Sequence, residues 1–144
     1  MIFGAGCMGA FDEAGYEQSV IELFEHIGWE HLYGPNIERD YRIPYYSDSF
    51  ERALSRINPS LPQEVLREAE RKLSDPGTGS LEQKNRIVAD FLQNGVPVSY
   101  VKKGEETSTL AYLIDYVHPV NNSFQIINQW TYVEKSEKRA DIIL

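Results

Sequence analysis

The last six residues, 139–144, place the strongest constraint on what this chain can fold into. They read Arg-Ala-Asp-Ile-Ile-Leu, a basic residue followed by a short apolar run, which predicts a buried β-strand. Asp141 interrupts that run, although aspartate is depleted in strands and a buried carboxylate needs a hydrogen bond, a charged partner or a metal. The sequence stops inside the predicted strand, so we expect it to be the front part of a longer protein.

Composition is that of a folded, soluble protein and excludes several classes of function. The 144 residues, of which 42% are hydrophobic and 25% charged, suffice for one domain with a real core. No segment is long and apolar enough to span a membrane, and residues 1–10 lack the basic start of a secretory signal. A single cysteine excludes an internal disulfide, and a net charge of −8 argues against a broad phosphate-binding surface. We expect a cytoplasmic protein.

Periodicity divides the chain into a helical part and a strand-rich part. Helices are predicted at 15–27, 49–57, 63–73 and 80–93, and strands at 96–101, 109–117, 124–133 and 139–144. Gly28 marks the end of the first helix, and Ser80 with Gln83 predicts a capping box for the fourth. Short links between the strands favour an antiparallel meander with the helices packed on it, which is an α/β fold.

Three glycines near the N-terminus match a dinucleotide-binding pattern without its context. Gly4, Gly6 and Gly9 spell GxGxxG, but such a loop needs a strand before it and a second hydrophobic parallel strand after the following helix. Only three residues precede the pattern, and residues 29–34, Trp-Glu-His-Leu-Tyr-Gly, do not read as that second strand. A flexible tail over 1–10 is favoured, and a dinucleotide-binding domain stays as an alternative.

Glu17 is a second acidic residue in an unexpected place. The first helix has an apolar arc made of Tyr16, Val20, Leu23, Phe24 and Ile27. At about 100° per residue Glu17 falls inside that arc, so it should face the core or a cleft, although a rim carboxylate paired with an arginine is an equal interpretation. If Glu17 and Asp141 converge, they suit Mg²⁺, which takes oxygen ligands and keeps several waters. Asp115, in another predicted strand, competes with Asp141 for this role.

A series of short segments occurs in the order found in one protein family. They include Tyr16-Glu17-Gln18, Gly28-Trp29, Arg39-Asp40-Tyr41-Arg42, Ile57-Asn58-Pro59, Asn128-Gln129 and Arg139-Ala140-Asp141-Ile142-Ile143. From about Phe11 onward, the chain resembles the N-terminal region of the restriction (R, or HsdR) subunit of type I restriction-modification enzymes. The resemblance depends on the combined order of these segments and not on any single motif.

The resemblance implies a fold and a site. The fold is a restriction endonuclease-like PD-(D/E)XK core over 11–144, with a mixed sheet flanked by helices and truncated before its last core elements. Asp141 matches the aspartate of the "PD" element and Glu17 the acidic residue of the first helix, which implies that both are catalytic and bind Mg²⁺. Ala140 stands where the proline is usual. No E-x-K element follows Asp141, so this segment alone is expected to be inactive.

The family's activity is Mg²⁺- and ATP-dependent cleavage of DNA phosphodiesters by a type I site-specific deoxyribonuclease. The resemblance therefore implies DNA and the modification (M) and specificity (S) subunits as partners, with no membrane. ATP is expected only in a motor region of the parent protein, since this chain has no P-loop pattern. An alternative from another class is a non-catalytic module of the same fold that contacts partner subunits.

Overall fold

The computed structural model describes residues 12–144, which form two compact units. The first unit contains residues 12–44 and 124–144, and the second contains residues 45–123. The tail predicted at 1–10 and the pattern of Gly4, Gly6 and Gly9 lie outside the described residues.

Residues 12–144 contain four α-helices, five strands and two 3₁₀ turns. In order they are α1 (Glu13–His26), β1 (Glu30–Tyr33), a 3₁₀ turn (Gly34–Asn36), α2 (Ser47–Ile57), α3 (Gln63–Ser74), α4 (Leu81–Asn94), β2 (Val96–Lys102), β3 (Glu105–Ala111), a second 3₁₀ turn (Pro119–Asn121), β4 (Gln125–Val133) and β5 (Glu137–Ile143). All four predicted helices are confirmed, with small shifts at their ends. Within residues 12–144, no helix has the length and apolar content that crossing a membrane requires.

Local capping chemistry explains where the helices begin and end. The Asp12 carboxylate accepts a hydrogen bond from the Gly15 backbone N–H at 2.7 Å, and α1 is followed by Gly28 with φ of 95°. Ser80 and Gln83 form the predicted capping box, in which each side chain accepts a hydrogen bond from the other residue's backbone N–H. The Asp12 cap and the capping box satisfy backbone N–H donors that the start of a helix leaves free.

A three-stranded sheet with β4 at its centre forms the base of the first unit. β1 pairs with β4 in parallel, from Glu30 opposite Gln125 to Tyr33 opposite Asn128, and β5 pairs with β4 antiparallel. Residues 29–34 were not expected to be a hydrophobic parallel strand, yet four of them pair in parallel with β4. β1 has only four residues, and its two outer ones are exposed, so it lacks the apolar run by which buried parallel strands are recognised.

α1 packs on this sheet through a different sector than predicted. Ile21 is buried, and Phe24 and Glu17 are half-buried. Three residues of the predicted arc, Tyr16, Leu23 and Ile27, are instead 66%, 60% and 61% exposed. Glu17 hydrogen-bonds to β4, and Ile21 lies one turn further along the same face. This orientation turns the centre of the predicted arc away from the sheet.

The strands do not form the predicted four-stranded meander. β2 and β3 make a separate two-stranded antiparallel sheet in the second unit. Their turn consists of Lys103 and Gly104, with φ of 53° and 83°, a conformation typical of tight hairpins. Because this turn is short, β3 begins at Glu105 and ends at Ala111. The strand predicted at 109–117 is therefore wrong over most of its length, since only residues 109–111 belong to β3.

In the second unit, α2 and α3 pack together and α3 covers the β2–β3 hairpin. The buried core consists of Leu54, Val65, Leu66, Ala69, Val96, Val98, Ala111 and Leu113. Asn58, at the end of α2, is buried beside this core. Its Nδ2 donates to the carbonyl oxygens of Leu54 and Tyr112, and its Oδ1 accepts from the Tyr112 N–H. Asn58 thus ties α2 to the chain that leaves β3.

Candidate functional site

Glu17 reaches from α1 to β4, where two neighbouring amides hold its carboxylate. Asn128 Nδ2 donates to Glu17 Oε1 at 2.7 Å. Gln129 Nε2 donates to both oxygens, at 3.1 Å to Oε1 and 2.9 Å to Oε2. Glu17 is half-buried, as its position on the helix predicts, but its partners are amides and not an arginine.

The backbone of β4 is distorted at this point. Consecutive residues of a regular strand direct their side chains to opposite faces, yet Asn128 and Gln129 donate to one carboxylate. Gln129 has φ of 54°, in the left-handed region that few residues other than glycine adopt. We infer that this conformation brings both amides to Glu17.

Gly34 allows the chain after β1 to approach this distortion. A Cβ atom on Gly34 would lie 2.7 Å from the Gln129 carbonyl oxygen and 2.8 Å from that of Asn128. Both distances are below van der Waals contact, and both neighbours are backbone atoms that cannot move freely. Any side chain at Gly34 would therefore push β4 away, which accounts for glycine at this position.

His31 of β1 extends the network beyond the carboxylate. Its Nε2 lies 2.9 Å from Asn128 Oδ1. Because Asn128 uses its NH₂ group to donate to Glu17, its Oδ1 is an acceptor, so His31 must carry a proton on Nε2. The hydrogen bonds run in one direction, from His31 through Asn128 to Glu17.

These contacts favour an ionised Glu17. The pKa of its carboxyl lies below the ordinary value of 4.5, first because of the Asn128 hydrogen bond and then because of the Gln129 bonds. The charges of Arg139 and His31 also lower this pKa, whereas partial burial opposes the shift. A site of this kind presents a full negative charge at neutral pH.

Replacing Asn128 with leucine is expected to raise the pKa of Glu17, because it removes the largest stabilising contact of the carboxylate. A carboxyl whose pKa is lower in the folded state stabilises the fold at pH values above its unfolded-state pKa. The unaltered protein should therefore lose this stabilisation as the pH falls through the folded-state pKa of Glu17. The variant should lose less. Carbon-detected NMR titration of the glutamate carboxyls measures the shift. Gln125→Leu, which breaks the similar bond from Gln125 to Glu30, should leave Glu17 unchanged.

Asp141 lies on β5, across from the distorted residue of β4. Asn128 pairs with Ile142 and Trp130 with Ala140, which places Asp141 opposite Gln129. Its side chain is exposed and, among residues 12–144, makes no hydrogen bond or ion pair. The prediction that this strand buries Asp141 is wrong, and the carboxylate needs no partner because water solvates it.

Asp115, the competing carboxylate, has a structural contact set. It belongs to a loop and not to a strand, and it lies in the second unit. It accepts hydrogen bonds from the backbone N–H groups of Val117 and His118 and from Asn121 Nδ2. These bonds lower its pKa, the His118 backbone bond most, and they order the loop.

The sequence interpretation missed the amides and His31 as site residues. No motif in the sequence singles out His31, and Asn128 and Gln129 entered only through the family resemblance. One signal was available, because two adjacent amides interrupt the apolar run of β4 between Ile127 and Trp130. Polar residues in the buried central strand of a sheet require partners.

The donors in the first unit suit a hard cation in type but are few. Within the described part of the chain, no group of three or more His, Cys, Asp or Glu residues could hold a metal ion. Glu17 and Asp141 offer carboxylate oxygens, and Mg²⁺ is commonly bound by one or two carboxylates with waters completing its shell. The residue types therefore fit Mg²⁺, with waters completing its coordination shell.

The described part of the chain is thus a mixed α/β protein in which two amides of β4 hold an ionised Glu17 and β5 carries an exposed Asp141 opposite Gln129. The family "Type I restriction enzyme R protein N terminus" matches residues 10–144, and the chain belongs to this family.

Two curated relatives agree with that assignment. The chain is 25% identical over 126 residues to the type I restriction enzyme HindI endonuclease subunit of Haemophilus influenzae, covering 82% of this chain and 12% of the relative. It is 24% identical over 138 residues to a protein of Methanocaldococcus jannaschii, provisionally named the type I restriction enzyme MjaIXP endonuclease subunit, covering 89% of this chain and 13% of the relative. The matched region is thus about an eighth of each relative's length. No solved structure matches the chain.

Proposed function

We propose that this chain forms the N-terminal part of the nuclease domain of a type I restriction R subunit, with a PD-(D/E)XK core, and acts in Mg²⁺-dependent cleavage of DNA. The observation that carries the proposal is the ionised Glu17 held on β4 by Gln129, with Asp141 opposite Gln129 on β5. These are the two residues that the family resemblance assigns to the metal. The whole R subunit would use ATP in its motor region and assemble with M and S subunits in the cytoplasm.

Glu17 and Asp141 would hold the cation in this proposal. When bound, Mg²⁺ activates a water and stabilises the charge that develops on a phosphodiester. The protein's own contribution is to keep Glu17 ionised and oriented through Asn128 and Gln129. Asp141 is exposed, so a DNA backbone can approach it. No E-x-K element follows Asp141 in this sequence, so cleavage would need those two further groups, whereas cation binding in this proposal rests on Glu17 and Asp141.

Asp141→Ala in a complete R subunit is expected to abolish DNA cleavage, because it removes a metal ligand, and to leave ATP hydrolysis intact. Cleavage of a plasmid carrying the recognition site, measured beside phosphate release, separates the two activities. Asp115→Ala is the matched control and should retain both, since Asp115 only orders a loop. If Asp141→Ala still cleaves DNA, the nuclease assignment is wrong.

A non-catalytic module is the second candidate. It is favoured by the small number of metal ligands in the described residues and by the three hydrogen bonds that already engage Glu17. In this alternative, the hydrogen bonds from Asn128 and Gln129 to Glu17 serve only to hold α1 against β4. Normal cleavage by both the Asp141→Ala and Glu17→Gln subunits would support it over the nuclease proposal.

A further inference from the structure

We propose that Gln129 is a positioning residue for divalent-cation binding at Glu17 and acts through the hydrogen bonds from its amide to both carboxylate oxygens. The inference depends on the proposed function and adds to it a residue that does not itself bind the cation. It rests on the geometry of the Glu17 carboxylate, the backbone of Gln129 and the position of Asp141.

The hydrogen bonds select which oxygen of Glu17 is available. Each carboxylate oxygen can accept about two hydrogen bonds. Oε1 accepts from Asn128 Nδ2 and Gln129 Nε2, whereas Oε2 accepts from Gln129 Nε2 alone. Among the contacts of residues 12–144, Oε2 therefore has an accepting position left. Gln129 contacts both oxygens and so fixes the plane of the carboxylate.

The backbone is adapted to this role. Gln129 holds a φ of 54°, a conformation that is unfavourable for a residue with a side chain. Gly34 lacks the side chain that would collide with the carbonyl oxygens of Asn128 and Gln129. The same distorted residue lies opposite Asp141. Gln129 thus contacts Glu17 directly and lies opposite Asp141, and a hydrogen-bonding partner that fixes the orientation of a ligand is what a cation site uses outside its ligands.

A matched contact with a simpler role exists at the start of the same strand. Gln125 Nε2 donates to Glu30 Oε2 at 2.7 Å, so it too joins an amide of β4 to a carboxylate. Gln125 pairs regularly with Glu30 of β1, and its φ is not positive. Loss of this amide removes the same type of hydrogen bond without touching Glu17.

The test is a titration of this chain with Mn²⁺ alone, followed by the electron paramagnetic resonance signal of the free ion. Gln129→Gly removes the amide and keeps a residue that readily adopts positive φ. It is expected to weaken Mn²⁺ binding about 10- to 100-fold, the usual effect of losing a group that orients a ligand. Gln129→Asn, which tolerates positive φ but has a shorter side chain, should weaken it similarly. Gln125→Ala should bind as the unaltered chain does.

Two further variants separate this inference from the proposed function. Glu17→Gln and Asp141→Asn should each lose the Mn²⁺ site. If they do while Gln129→Gly and Gln129→Asn bind normally, the role of Gln129 is overturned and the proposed metal site stands. If Glu17→Gln and Asp141→Asn both keep their Mn²⁺ binding, or if the unaltered chain shows no saturable site, the role of Gln129 and the proposed metal site are both overturned. Urea unfolding of each variant completes the test, since lower stability with unchanged Mn²⁺ affinity would give Gln129 a purely structural role.

Discussion

Replacing Trp130 with alanine is expected to lower the free energy of unfolding of the first unit by about 3–5 kcal/mol. Trp130 is only 1% exposed at the middle of β4. Its Nε1 donates to the Pro44 carbonyl at 2.9 Å, and the guanidinium of Arg39 lies 3.4 Å from the centre of its ring. The substitution leaves a cavity in the core and removes the aromatic face that stabilises the partly buried Arg39 cation.

Urea unfolding followed by tryptophan fluorescence measures this loss. Both tryptophans of the chain, Trp29 and Trp130, lie in the first unit, so Trp29 still reports its unfolding in the variant. Tyr16→Ala is the control, because Tyr16 is an aromatic residue of the same unit that is 66% exposed, and it should change stability by no more than about 0.5 kcal/mol. Equal losses in the two variants would contradict the packing of Trp130.

The helices could be predicted because their signals are local. The capping box joins Ser80 to Gln83, only three residues away, and Gly28 ends α1 within the segment that it punctuates. Amphipathic spacing likewise predicts α3, whose Val65, Leu66 and Ala69 are buried. The spacing of apolar residues could not predict which sector of α1 faces the sheet, because this depends on the hydrogen bond between Glu17 and a residue 111 positions away.

The sheets could not be predicted from strand patterns alone. Pairing is a long-range property, and the four-residue β1 becomes a strand only through its alignment with β4. The hairpin of β2 and β3 was recognisable, but its turn consists of Lys103 and Gly104 alone, so β3 begins at Glu105 and ends at Ala111. Asp115 is therefore left in a loop. Strand propensity says little about where a strand ends when a turn sets its register.

Only the two carboxylates of the candidate site could be predicted from the sequence. Glu17 was identified because helical geometry places one residue on a calculable face, and Asp141 because aspartate is unusual in a strand. Their environments differ from that prediction, since Glu17 is held by amides and Asp141 is exposed. The role of Gln129 depends on a left-handed φ, and no residue pattern at that position signals it, because glutamine has no special preference for the left-handed region.

Asn58→Asp is expected to destabilise the second unit by about 3–5 kcal/mol at neutral pH, because it creates an uncompensated buried charge. Asn58 is 5% exposed, and its Nδ2 lies 2.9 Å from the Leu54 carbonyl oxygen and 2.8 Å from that of Tyr112. The introduced carboxylate would direct an oxygen at those two acceptors. Its Oδ1 could still accept the hydrogen bond from the Tyr112 N–H. The loss of stability therefore comes from replacing the NH₂ donor and not from a cavity in the core.

The dependence of this loss on pH identifies its cause. Burial and the facing carbonyls raise the folded-state pKa of the introduced carboxyl above its unfolded value of about 3.9. The destabilisation should therefore be small below about pH 3.9, grow as the pH rises, and be complete above the folded-state pKa. Urea unfolding followed by far-ultraviolet circular dichroism suits the measurement, since α2, α3 and α4 all lie in the second unit. Asn85→Asp, at an exposed position of α4, is the control, and an equally small, pH-independent loss in both variants would show that Asn58 is not the buried donor described here.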